Sequence, residues 1–133
     1  MKLEGIDHVA LAVPEIESTV AWYTEVLGFE RKYAEYWGGV PAFIGKGTTA
    51  LALFPRAGKR AGRKGGPMLH LAMRASHDEF VRAQEELRKR DIPYRFEDHA
   101  IAHSIYFRDL NDLPLEITTY EIEVRGQPSP RPR

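Results

Sequence analysis

Residues 8–13, His8-Val-Ala-Leu-Ala-Val13, return at 70–75 as His70-Leu-Ala-Met-Arg-Ala75, and each stretch is followed by a helix-like segment and three short strand-like ones. This recurrence decides the fold. Successive side chains of a strand point to opposite faces, so Val9, Leu11 and Val13 share one face, and Ile6, His8, Ala10 and Ala12 share the other. The bulky face is suited to a core, and the small residues of the other leave room above His8. In the second copy His70, Ala72 and Arg74 oppose Leu69, Leu71 and Met73.

Working outward, Pro14 ends the first strand, and Ile16, Thr19, Val20, Tyr23 and Leu27 recur at helical spacing up to Gly28. Phe29 to Tyr36, Val40 to Ile44 and Ala50 to Phe54 read as strands, parted by Gly38-Gly39 and by Gly45 to Gly47. In the second copy Ser76 and Glu79 form a capping box, and Phe80, Ala83 and Leu87 give the helix its apolar face. Asp91-Ile92-Pro93 ends that helix. Strands follow around Tyr94 to Glu97, Ser104 to Arg108 and Leu115 to Tyr120. The expected fold is α+β: two tandem β-α-β-β-β modules, offset by about 62 to 64 residues, forming a curved mixed sheet around a metal-binding cup. Module one spans 5–54, a connecting loop 55–67 and module two 68–120, together one domain. Residues 121–133, with three prolines and three arginines, read as a flexible tail or one lying across a partner subunit.

Composition narrows the function. Nineteen basic residues balance nineteen acidic ones, so no net field draws the molecule to nucleic acid or an anionic membrane, and neither is expected as a partner. Five cations, Arg56, Lys59, Arg60, Arg63 and Lys64, crowd the connecting loop without interleaved aromatics, and read as a solvated connection more readily than as a phosphate patch or a lid. The absence of cysteine removes disulfides, thiolate ligands and cysteine nucleophiles. The first residues lack the apolar run of a signal peptide, and no stretch approaches a membrane span, so a cytoplasmic location is expected.

The chemistry concentrates at residues 99–116, HAIAHSIYFRDLNDLPLE. Glu116 stands between Leu115 and Ile117 in a strand, an unfavourable place for a carboxylate unless it is paired or holds a metal. Its face carries Thr118 and Tyr120, and that of the preceding strand Ser104, Tyr106 and Arg108, opposite Ile105 and Phe107. If the apolar faces pack on the helices, His8, His70 and Glu116 converge in one polar cup. Two histidines and one carboxylate form a facial triad that suits Fe(II), with Mn(II) or Zn(II) compatible. A single strand histidine is ordinarily a hydrogen-bonded or surface residue; the matched placement in two repeats is what distinguishes these.

These residues resemble the vicinal oxygen chelate superfamily, also called the glyoxalase, bleomycin-resistance and dioxygenase superfamily. HVALAVPEIESTVAWYTEVLGFE looks like its first strand and helix, and SIYFRDLNDLPLEITTY like its last two strands. The resemblance implies paired modules around a divalent metal, with His8, His70 and Glu116 as ligands, a small-molecule substrate and a homodimer. Glyoxalase-type isomerases draw a fourth ligand from the last strand of module one, where this chain has Ala52. Thiol transferases that open an epoxide antibiotic carry a lysine and a serine where Phe96 and Ala100 stand. Antibiotic-binding members generally lack the metal ligands. Extradiol dioxygenases carry a signature matched here by His99, Ile105, Tyr106, Asp109 and Glu116, with Leu110 in place of a proline and Asp112 in place of a glycine or proline. The resemblance therefore implies an extradiol-type dioxygenase acting on a catechol-like diol, ahead of another metal-dependent isomerase, lyase or transferase, or a non-catalytic binding protein. In that scheme His99, with His103 as its rival, is the acid/base, and Tyr106 donates a hydrogen bond to substrate. Arg74 and Arg108 pair with a substrate carboxylate if they lie inside the cup. Tyr36 and Trp37 either wall the cup or pack in a core or dimer interface.

Overall fold

The computed structural model describes residues 1–2, 4–56 and 68–123. The basic stretch from residue 57 to 67 and the tail from 124 onward lie outside the described residues. The chain divides into two compact units, Met1–Lys64 and Gly65–Arg133, each built on one β-α-β-β-β module.

Module one runs β1 (Val9–Val13), α1 (Ile16–Leu27), β2 (Glu30–Lys32), a single 3-10 turn (Trp37–Gly39), β3 (Ala42–Lys46) and β4 (Thr49–Pro55). Its mixed sheet has the order β1-β4-β3-β2, with β1 parallel to β4 and the other pairs antiparallel. The parallel pair follows from the helical crossover, which returns the chain to the sheet in the same direction. The Glu15 carboxylate caps α1 by accepting the Ser18 N–H at 3.0 Å. Gly28 ends it with φ of 70°, a left-handed conformation that costs glycine little. The buried side of α1, Thr19, Val20 and Tyr23, packs with Val13, Ile44, Leu51 and Leu53 into the core of this module.

Module two repeats the plan with β5 (Leu71–Arg74), α2 (His77–Lys89), β6 (Arg95–Asp98), β7 (His103–Arg108) and β8 (Pro114–Thr119), in the order β5-β8-β7-β6. Ser76 Oγ accepts the Glu79 N–H at 3.2 Å, one half of the expected capping box. Phe80, Leu87, Ile105, Phe107, Leu115 and Ile117 are its buried apolar set. No described helix is long and apolar enough to cross a membrane.

Several boundaries differ from the sequence reading, each for a local reason. The two modules carry separate four-stranded sheets, and neither sheet closes on itself. His8 and His70 stand one residue before β1 and β5, because the parallel pairings begin at Val9↔Leu51 and Leu71↔Leu115. The strand expected over 29–36 stops at Lys32, where Tyr33 turns to a φ of 57°. Gly45 is not part of the turn after β3. It lies inside that strand, where a Cβ would meet the Thr49 carbonyl oxygen at 2.1 Å, so its lack of a side chain permits close approach of the backbone.

Candidate functional site

Register explains what collects on the face of the module-two sheet turned away from its apolar core. Tyr106 on β7 lies opposite Glu116 on β8 and Arg95 on β6, while Glu116 also lies opposite Ala72 on β5. Cross-strand partners share a face, so Glu116, Tyr106 and Arg95 form one row, bounded by His70 two residues before Ala72. The reverse face holds Ile105, Phe107, Leu115 and Ile117, all buried.

The polar row is linked at its centre by two hydrogen bonds and at each end by a close histidine–carboxylate contact. Tyr106 donates its hydroxyl to Glu116 Oε1 at 2.7 Å. His99 Nε2 stands 2.9 Å from the same hydroxyl oxygen. Since the single phenolic proton is already given to Glu116, His99 must be the donor in that contact and carries a proton on Nε2. Glu97 Oε2 lies 3.6 Å from the same nitrogen. At the other end Glu116 Oε2 lies 3.2 Å from His70 Nε2. The order is Glu97, His99, Tyr106, Glu116, His70. The hydrogen bond to Glu116 holds the Tyr106 hydroxyl above its ordinary pKa, because ionisation would lose that bond and set an anion beside a carboxylate, and partial desolvation adds to this.

Two turns hold these groups in place. His99 opens the connection between β6 and β7, where Ala100 adopts a φ of 67° and gives its N–H to Asp98 Oδ1 at 2.9 Å. Between β7 and β8 the buried Asp109 accepts the N–H groups of Asn111 and Leu113 at 2.8 and 2.9 Å. The acidic residue of the sequence signature is therefore the organiser of a turn, and by fixing the length of that turn it fixes which residue of β8 meets Tyr106.

Glu116 is only 8% exposed, so its charge needs partners, and Tyr106 and His70 supply them. The same pair suits a divalent metal. Histidine nitrogen and carboxylate oxygen bind such ions at about 2.0–2.2 Å, which places ligands at right angles roughly 3 Å apart. The 3.2 Å between Nε2 and Oε2 matches that spacing as well as it matches a hydrogen bond. Within neither module, among the described residues, do three His, Asp or Glu side chains form a metal cage. A triad therefore needs a donor beyond the pair.

Module one repeats the geometry with different chemistry. Ala52 on β4 lies opposite Ala10 and Phe43, as Glu116 lies opposite Ala72 and Tyr106. His8 sits 5.1 Å from the Phe43 ring, as His70 sits 5.9 Å from that of Tyr106. The carboxylate position is an alanine and the phenol position a phenylalanine. His8 Nδ1 bonds Asp7 Oδ2 at 2.7 Å. Tyr33 and Trp37 lie against Phe43, and Tyr36 lies against Trp37, a half-exposed aromatic group beside His8 rather than part of the core.

Other expected residues are placed as follows. His103 alternates with Tyr106 onto the opposite face and packs against Phe96, itself against Phe80 of α2, with Asp98 3.6 Å away. It does not meet Tyr106, so His99 alone of the two joins the row. Tyr106 gives its proton to Glu116 and not outward. Arg108 lines a cleft of about 790 Å³ with His70, Tyr94, Arg95, Tyr106 and Pro114, while Arg74 lies over the Tyr120 ring at 4.8 Å. Arg95 and Glu97 are additions. Their alternation with Phe96 was visible in the sequence, but their placement beside Tyr106 depends on the register of β6, which no local pattern sets.

A family described as the Glyoxalase/Bleomycin resistance protein/Dioxygenase superfamily matches residues 5–117. No curated protein matches the chain. Among solved structures, lactoylglutathione lyase from Agrobacterium tumefaciens is similar at 19% identity and a TM-score of 0.67, over 90% of this chain and 96% of that one. The fosfomycin resistance protein FosX from Mesorhizobium loti is similar at 24% identity and a TM-score of 0.64, over 89% and 93%. A glyoxalase/dioxygenase from Nostoc punctiforme reaches a TM-score of 0.71 at 19% identity, over 87% and 90%.

Proposed function

Because the chain belongs to the Glyoxalase/Bleomycin resistance protein/Dioxygenase superfamily, we propose that it is a divalent-metal-dependent enzyme whose small substrate binds through adjacent oxygens, and that its reaction is extradiol-type cleavage of a catechol-like ring. The observation that carries this reading is the buried Glu116 carboxylate, 3.2 Å from His70 Nε2 and linked through Tyr106 to His99. His70 and Glu116 are the proposed ligands in module two. His8, at the matching position of module one, is the proposed third. Fe(II) suits this set, and Mn(II) or Zn(II) accept the same donors. When bound, such a metal supplies open positions for the adjacent substrate oxygens and for dioxygen, and stabilises developing negative charge.

The chain's own residues have separable tasks. His99 holds a proton on Nε2, and an imidazole can both give and take a proton, which suits it to proton exchange with substrate. Tyr106 fixes one oxygen of Glu116 and leaves the other turned to His70. Ala52 stands where glyoxalase-type isomerases carry a further ligand, which favours ring cleavage over isomerisation. The two modules act together as one domain, and the protein works as a homodimer in this proposal.

A second reading, a non-catalytic binder of small molecules, draws on the exposed aromatic group of Tyr33, Tyr36, Trp37 and Phe43. Oxygen uptake by Fe(II)-loaded protein with a panel of catechols separates the readings. Ring cleavage that stops with chelator supports the dioxygenase. Turnover without dioxygen points to an isomerase, lyase or transferase, and stoichiometric uptake indifferent to chelator points to the binder.

A further inference from the structure

Resting on the proposed small-molecule site at His70 and Glu116, we infer that the substrate is a carboxylate anion, and that Arg95 together with Arg108 recognises its charge at the cleft. Arg95 begins β6 directly opposite Tyr106. Its guanidinium lies over the Tyr106 ring at 4.8 Å, and its NH2 nitrogen pairs with Glu97 Oε1 at 3.0 Å. The contact with the ring and the ion pair with Glu97 together restrain the guanidinium. An arginine held in this way presents a prearranged fork that fits a carboxylate through two parallel hydrogen bonds.

Arg108 follows Tyr106 by two residues on the same face, about 6.6 Å along the strand. Its NH1 donates to the backbone oxygen of Asp112 at 2.8 Å, a contact that orients the group without neutralising it. The Asp112 carboxylate stands further off, at 4.0 Å. Among the residues lining the cleft, Arg95 and Arg108 are permanently positive and Asp112 is negative, so the lining carries a positive excess before His70 is counted. Of the nearby carboxylates, Glu116 is engaged by Tyr106 and His70, while Glu97 pairs with Arg95 and offsets part of its charge, which leaves Arg108 the less neutralised of the two cations. An exposed arginine is ordinarily a solvated surface group. Here two of them line one cleft beside His70, and each is oriented by named neighbours.

The test compares 3,4-dihydroxybenzoate with 3,4-dihydroxybenzamide, which share a ring and a diol and differ in charge. Binding of each to the full chain is measured calorimetrically, first metal-free and then with Fe(II) in the absence of oxygen. The acid is expected to bind at least about tenfold more tightly than the amide in both states. Arg95→Gln and Arg108→Gln should each bring that ratio toward one, Arg95→Lys should keep part of it, and Arg82→Gln on α2 should leave it unchanged. Equal affinities in the unaltered protein, no saturable binding of the acid, or a ratio that survives both glutamine variants would overturn the inference. The metal reading fails by a different sign, when Fe(II) strengthens neither ligand, and that result does not alter the acid-to-amide ratio.

Discussion

The Tyr106 hydroxyl donates to Glu116 Oε1 at 2.7 Å, across the β7–β8 pair and on the face turned away from the core. This bond leaves Glu116 Oε2 turned toward His70 and links the carboxylate to His99. Tyr106→Phe removes it while keeping the ring under Arg95. The buried carboxylate then loses a partner, and stability should fall by about 1–2 kcal/mol in chemical denaturation. Metal affinity should fall as well, by about 10- to 100-fold, since the residue that orients a ligand has been lost. A variant as stable and as metal-avid as the parent would show the bond to be incidental.

Loss of a ligand and loss of an acid/base group should look different. Glu116→Ala is expected to abolish metal binding. His99→Ala should retain the metal and lose roughly 10²–10⁴-fold in turnover number. Metal content of the purified variants, read beside single-turnover rates, checks both; a Glu116→Ala protein that keeps its metal refutes the ligand assignment.

Asp109 tests the turn that sets the register. Its buried carboxylate accepts two backbone N–H groups, so Asp109→Ala leaves both without that acceptor and should cost about 2 kcal/mol or more. Hydrogen exchange should quicken at Asn111 and Leu113 first. Unchanged exchange there would remove Asp109 from its assigned role.

The cap on α1 gives a dependence on pH. Hydrogen bonding to Ser18 holds the Glu15 carboxyl below its ordinary pKa. A carboxyl whose folded pKa is depressed adds stability above its unfolded pKa and loses it as pH falls through the folded value. Glu15→Ala should therefore lower the melting temperature at neutral pH, and the gap from the parent should narrow in acid, below the usual carboxylate range. A gap that stays constant into acid would contradict the capping role.

How much of this was legible in the sequence depends on distance along the chain. The duplication was, because His8-Val-Ala-Leu-Ala-Val13 and His70-Leu-Ala-Met-Arg-Ala75 repeat a pattern of period two, and because Gly28 and Ser76 are local helix signals. The polar face of β7 and β8 followed from the same alternation. The pairing of Tyr106 with Glu116 did not, since it depends on register, and register depends on the Asp109 turn. His103 was a credible rival to His99 until alternation from Tyr106 set it on the side of Phe96 and Phe80. The place of Arg95 is hidden for the same reason, as nothing near it in sequence marks its neighbour across the sheet. Beyond Lys32, positive φ values at Tyr33 and Trp37 cut short a stretch whose composition favoured a strand.

The most direct measurement is Fe(II) binding to anaerobically prepared metal-free protein, with His70→Ala alongside. Tight binding of one ion per chain, lost in the variant, is the expected result. Weak binding, or binding that ignores His70, would contradict the metal centre and leave His70 and Glu116 as an ordinary ion pair in the wall of a ligand-binding protein.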